Sequence, residues 1–275
     1  MSTNHDISPA ERLAGFRARI DTLDEQIARL LLERTTIIHE VAALKAEYWP
    51  GSCHIRPARE GQMHEAITKR FAGTDVPPIA ALAIWRQMIG AATSLESPLS
   101  VVSLAHEPHH AWLAREYFGA GVGSYTEQSL AEALDTVQSG QANILLLPRA
   151  ETSDWWRDAA LFASRGLSVF ATLPVSTQPL PHGAAPALAL AAVKPEPSGN
   201  DISYLVLATR HPVDAAELQA TLPAQVISFD GTHHLLVLDG YVAEGAAEIA
   251  AITQTLGDRL LSLAVLGTHP KPISL

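Results

Sequence analysis

A helical region followed by an α/β region that closes in a βαββαβ order is the multidomain fold this sequence predicts, on three observations. Apolar residues recur at three-to-four spacing from Leu13 to Leu44, with no proline or glycine after Gly15; this marks one long amphipathic helix. Turn chemistry interrupts the chain at Trp49-Pro50-Gly51 and again at Ser97-Pro98. Beyond Pro98 short apolar runs alternate with helical stretches, the texture of buried strands in a partly parallel sheet. A length of 275 residues, with 47% hydrophobic and 17% charged, suits a globular chain of more than one domain.

The elements follow in order. The first helix places Phe16, Ile20, Leu23, Ile27 and Leu30 on one stripe. It is about 50 Å long at 1.5 Å per residue. That exceeds what one small domain covers, so association with a second chain is expected. A second helix opens at Pro57 and runs to Phe71, and a third spans 79–95, which makes the first region all-α with three helices. Strands are expected at 99–105, 143–147 and 167–173, with helices at 130–137 and 155–163. Residues 173–200, rich in proline and small side chains, read as a linker or irregular crossing segment. Then come a strand at 204–208, a helix at 213–222, strands at 225–229 and 233–238, a helix at 243–256 and a strand at 260–266. That order is ferredoxin-like. The expected domains are 1–97, 98–199 and 200–275.

Charge narrows the function. The net charge of −10 argues against non-specific binding to nucleic acid or to anionic membrane. Residues 1–97 hold 11 Lys+Arg against 12 Asp+Glu, whereas 98–275 hold 8 against 17, so the cations gather in the helical region. Arg17, Arg34, Lys45 and Arg59 fall on a helical pattern that is otherwise apolar where it faces a core. Core-facing cations need an anionic partner to offset desolvation, and a small dianion bound between helices would supply it. Arg17 and Lys45 are 28 residues apart, about 42 Å along one helix, so both cannot touch one small molecule from the same chain. Arg34 and Lys45, 11 residues and about 16 Å apart, return to nearly one face.

Other features point to less. Cys53, the single cysteine, excludes an internal disulfide and reads as a loop thiol of a reducing compartment. The start MSTNHD has no basic and apolar leader pattern, and the longest apolar stretch, 184–193, is too short to span a bilayer; a soluble cytoplasmic protein without membrane or nucleic-acid partners is expected. His106, His109, His110, His233 and His234 show no metal-ligand spacing and read as loop or strand-surface histidines. No phosphate loop or serine nucleophile elbow is present. No metal or cofactor is expected.

The segments FRARIDTLDEQIARLLLERTTIIHEVAALK, IRPARE and IWRQMIGAATSLESP resemble the AroQ-type chorismate mutases over residues 13–98. The resemblance implies an intertwined homodimer that rearranges chorismate to prephenate without a cofactor, one subunit supplying Arg17 to the other's site. It places substrate binding on Arg17, Arg34, Lys45, Arg59, Glu60 and Glu96, with Lys45, Glu96, Arg34 and Arg17 as the catalytic set. Guanidinium forks suit the two carboxylates, Lys45 the ether oxygen and Glu60 the ring hydroxyl. Arg59 helps the carboxylate network or orients Glu60, and Arg56 takes no role. Glu96 near the ether oxygen would repel developing charge when ionised and donate a hydrogen bond when neutral.

More faintly, QSLAEALDTVQSGQANILLLPRAETS and HHLLVLDGYV are similar to the prephenate dehydratase half and ACT module of the fused bifunctional proteins. Its functional motifs are replaced. Thr-Arg-Phe corresponds to Ile202, Ser203 and Tyr204; Pro-Ile-Glu-Asn to Pro148, Arg149, Ala150 and Glu151; and the glycine-rich opening loop to residues 105–110. The phenylalanine-binding motifs survive only as a trace at 216–218. Loss of dehydratase activity and of phenylalanine sensing is therefore expected. A bifunctional enzyme, a non-catalytic dimeric scaffold and an isochorismate-pyruvate lyase stand as alternatives. The retained region could pack on the dimer, dock another pathway enzyme or sense a ligand.

Overall fold

The computed structural model describes residues 8–48 and 54–275. The turn at Trp49-Pro50-Gly51 and the thiol of Cys53 lie outside them. Packing divides the chain into Met1–Ser52 and Cys53–Leu275.

The first unit is helix α1, Pro9–Tyr48, 40 residues and about 60 Å long. Ser8 and Glu11 close a reciprocal cap at its start: the Ser8 amide donates to Glu11 Oε2 at 2.8 Å and the Glu11 amide to Ser8 Oγ at 3.2 Å. Two orphan donors are thereby satisfied. Not one residue of α1 is buried. Its apolar stripe stands half in solvent, with Phe16 51% and Ile27 55% exposed.

In the second unit α2 (Pro57–Phe71) and α3 (Pro78–Glu96) form a hairpin, each opening on a proline, which the first turn tolerates because its amide has no helical partner. Phe71 meets Trp85 edge-on at 6.0 Å between ring centres. The hairpin packs in one body with a nine-stranded sheet. Its strands are β1 (Ser100–Leu104), β2 (Gly123–Glu127), β3 (Ile144–Pro148), β4 (Ser168–Leu173), β5 (Ala187–Ala191), β6 (Asp201–Thr209), β7 (Gln225–Ser228), β8 (His233–Asp239) and β9 (Leu260–Pro270). They lie in the order β2-β1-β3-β5-β4-β9-β6-β8-β7. Helices α4 (His110–Phe118), α5 (Leu130–Gln138), α6 (Ala159–Ser164), α7 (Ala215–Thr221) and α8 (Ala247–Leu256) connect them. The Ser129–Glu132 capping box starts α5.

Strands β1, β2 and β3 are parallel, as is the β4–β9 pair, and the remaining pairings are antiparallel. One apolar cluster, with Val102, Leu145, Trp156 and Phe162, covers one side. Val101, Ile144, Leu146 and Phe170 belong to a second, as strand alternation requires. A third gathers Leu205, Leu207, Leu218 and Ile252 around α7 and α8. At the β4–β9 junction Gly267 has φ +148 and lies against the Val169 backbone, too close for any side chain.

Three sequence expectations are corrected. Residues 173–200 are not merely a connection: β5 lies within them, fully buried between β3 and β4. Its ALALA sequence is rich in a residue of low strand propensity, and burial on both faces overrides that. Strand β2 and helix α4 were not anticipated, since GSYTE is an exposed edge without apolar alternation. Finally, His110 and His234 are fully buried rather than on a surface. Among the described residues neither ring nitrogen of His110 finds a hydrogen-bond partner, and Glu107 Oε2 stands 3.7 Å from its Nε2.

Candidate functional site

The six expected site residues fall on both units. Arg17, Arg34 and Lys45 belong to α1; Arg59 and Glu60 open α2, and Glu96 ends α3. Arg17 is exposed, whereas Arg34 and Lys45 are half-buried. Arg34 and Lys45 are separated by about 20° around the helix, and Arg17 stands about 100° from Arg34.

In the first turn of α2 the pair divides by burial: Arg59 is exposed and Glu60 is buried. Burial of a carboxylate demands a partner, and Arg86 of α3 provides it, Nη1 donating to Glu60 Oε2 at 2.5 Å. The same Nη1 meets His64 Nε2 at 3.1 Å. Arg86 Nε donates to the Tyr117 carbonyl at 2.9 Å, as does Nη2, and the guanidinium sits 3.7 Å over the Tyr117 ring. Burial, then the charge of Arg86, pushes His64 down to about 3, so its imidazole is neutral and Nε2 offers a lone pair. Burial raises the Tyr117 phenol well above its ordinary range, with the charge and hydrogen bond of Glu60 adding to the effect. Glu96 Oε2 meets His54 Nδ1 at 3.0 Å.

Sequence reasoning missed Arg86, His64 and His54. An arginine in a helix resembles any surface cation, and the main partner of Arg86 is a backbone carbonyl, which carries no sequence signal. His54 precedes α2 by three residues and reaches Glu96 only through the folded hairpin.

Arg149, Glu151, Tyr204 and His269 form a second polar cluster. Arg149 Nη2 donates to Glu151 Oε1 at 2.7 Å, and the Tyr204 hydroxyl donates to the same oxygen at 3.1 Å. His269 Nε2 lies 3.4 Å from that hydroxyl. Burial opposes ionisation of Glu151, yet the Arg149 and Tyr204 hydrogen bonds outweigh it and hold the carboxyl below its usual range. Burial raises the Tyr204 phenol and lowers His269. Nearby, a cavity of about 700 Å³ opens at the carboxyl ends of β1 and β3, lined by Leu104, His106, Pro148, Trp155, Arg157 and His233.

Residues 16–97 match the family described as chorismate mutase type II. The bifunctional chorismate mutase/prephenate dehydratase of Stutzerimonas stutzeri is 32% identical over 147 residues, covering 52% of this chain and 40% of that protein. The protein of the same description from Aquifex aeolicus is 29% identical over 148 residues, again 52% and 40%. The match thus spans about two fifths of the length of these relatives. Among solved structures, the prephenate dehydratase of Streptococcus mutans superposes on 64% of this chain and all of its own, at TM-score 0.43 and 12% identity.

Proposed function

We propose that the chain, whose residues 16–97 match the chorismate mutase type II family, rearranges chorismate to prephenate as a homodimer, using Arg17, Arg34, Lys45, Arg59, Glu60 and Glu96. The register of those side chains within the matched segment carries the reading. The reaction is intramolecular, so the protein needs neither nucleophile nor metal. It holds a compact chair-like conformer and stabilises the charge that separates as the ether bond breaks. Arg17 and Arg34 bind the carboxylates, Lys45 meets the ether oxygen, and Glu60 takes the ring hydroxyl beside Arg59. A neutral Glu96 donates to the ether oxygen.

The dimer reading rests on α1. A 40-residue helix without a buried residue leaves its whole apolar stripe for another surface. A second copy of the same stripe satisfies both, and it brings Arg17 to a site its own chain cannot reach.

Beyond residue 97 the chain is read as a dehydratase-like region, 98–199, and an ACT-like module, 200–275. The antiparallel order β9-β6-β8-β7 supports a ferredoxin-like arrangement of the module. Dehydratase chemistry is read as lost, because Ile202, Ser203 and Tyr204 stand where the family has Thr-Arg-Phe, and Pro148, Arg149, Ala150 and Glu151 where it has Pro-Ile-Glu-Asn. The protein is taken to act in the cytoplasm.

The test gives purified protein chorismate and follows prephenate and phenylpyruvate together. Prephenate accumulating alone supports the proposal, phenylpyruvate appearing in step establishes a bifunctional enzyme, and persisting chorismate leaves a scaffold. Pyruvate released from isochorismate would mark a lyase instead. Lys45→Ala should cost about 100-fold or more in kcat, the range for removing one preorganised donor.

A further inference from the structure

We propose that Arg86 is a positioning residue of the mutase site and that the carboxyl end of α4 sets it, so that the α/β region forms part of the machinery holding Glu60. This rests on the mutase reading given above. Helix α4 ends because Gly119 turns at φ +99. The last carbonyls of a helix lack partners within it and carry the negative end of its dipole. Tyr117 is the penultimate residue of α4, and its carbonyl accepts from both Nε and Nη2 of Arg86. The ring of the same residue lies against the guanidinium. The orientation of the fork is therefore fixed from the α4 side before Nη1 reaches Glu60.

Two further contacts keep α3 on α4. Gly90 lies against the Phe118 carbonyl so closely that no β-carbon fits. Gln87 donates to the Arg115 carbonyl at 3.0 Å and accepts from the Ala120 amide at 2.9 Å. With α3 held, Arg86 is 3% exposed and Glu60 6%, and each is the other's counter-charge. Neutral His64 receives the remaining direction of Nη1. A substrate hydroxyl would thus meet a carboxylate whose position is fixed by Arg86. A lysine could not replace this arrangement, because an ammonium is a point charge without the planar fork that spans carbonyl and carboxylate together.

A purely structural ion pair would serve stability alone, and a double-mutant cycle on the full chain separates the two. Wild type, Arg86→Lys, Glu60→Gln and the double variant are assayed with chorismate for kcat and KM, with folding checked by circular dichroism. Arg86→Lys should lower kcat at least tenfold with little change in KM. In the Glu60→Gln background the same change should cost less than threefold, since Arg86 acts through Glu60. Equal losses in both backgrounds overturn the proposal. If Arg86→Lys does not fold, Arg86→Gln runs the same cycle with the same criterion. A wild-type chain that leaves chorismate intact overturns the mutase reading and this proposal with it; turnover with an additive cycle overturns this proposal alone.

Discussion

At the scale of single residues, the buried polar groups among the described residues divide into those that are paired and a few that are not, His110 foremost. Glu60 and Arg86 neutralise each other, whereas both ring nitrogens of His110 are buried without a hydrogen-bond partner among the described residues. Burial, with His106 and His109 nearby, pushes His110 down to about 4. A histidine whose folded value lies below its unfolded one stabilises the fold at higher pH and loses that contribution as pH falls from about 6.5 towards 4. His64 behaves alike over a wider window. His110→Leu should therefore raise stability at neutral pH by about 1 kcal/mol, by removing an unsatisfied polar group, and flatten the acid limb of the unfolding profile. Denaturant titration across pH 4–7 checks both, and an unchanged acid limb would reject the assignment. For Glu96 the expectation concerns activity: turnover should fall as pH rises, and Glu96→Gln should flatten that profile. That Arg34 and Lys45 return to nearly one face of a helix was legible, because the helical period lies in the sequence. The roles of Arg86 and Tyr117 were not, since they meet through a backbone atom across 31 residues.

Among the elements, α1 is the most legible, and none of its residues is buried. Its period and its great length were readable, and both point to a long helix with an apolar stripe. That stripe makes the dimer testable at one position. Ile27→Lys places a charge in the middle of the row, and sedimentation should show monomers together with loss of mutase turnover, because the site would lose the partner's Arg17. A dimer that persists with full activity would reject the pairing along this stripe. The α2–α3 hairpin was equally readable, from Pro57, Phe71 and the break before Pro98. Strand β5 was not, because five small and apolar residues without β-branching give no strand signal. Their place is decided by β3 and β4 on either side, contacts that only the folded chain supplies. The α3–α4 crossing offers a third test: Gly90→Ala would force a β-carbon into the Phe118 carbonyl, and overpacking of this kind costs about 1–3 kcal/mol, readable as a lower melting temperature.

For the whole molecule, composition and texture read correctly as a helical part followed by an α/β part, while the packing boundary falls at Ser52/Cys53. The α2–α3 hairpin shares its body with the sheet, through Gly61 against Pro270 and Gly90 against Phe118. A fragment ending at residue 97 should therefore be poorly folded and at least tenfold less active than the full chain. Circular dichroism and a chorismate assay on the fragment check this, and a folded, fully active fragment would contradict it. The seat of Gly90 on the Phe118 carbonyl also bears on what inheritance can discard. Substitutions in the second region that spare this seat leave the hairpin's floor in place. A gene fission after codon 97 would leave the hairpin without its floor and be selected against. The coding sequence of the sheet region would then be kept for the floor it gives the hairpin, whatever chemistry that region carries.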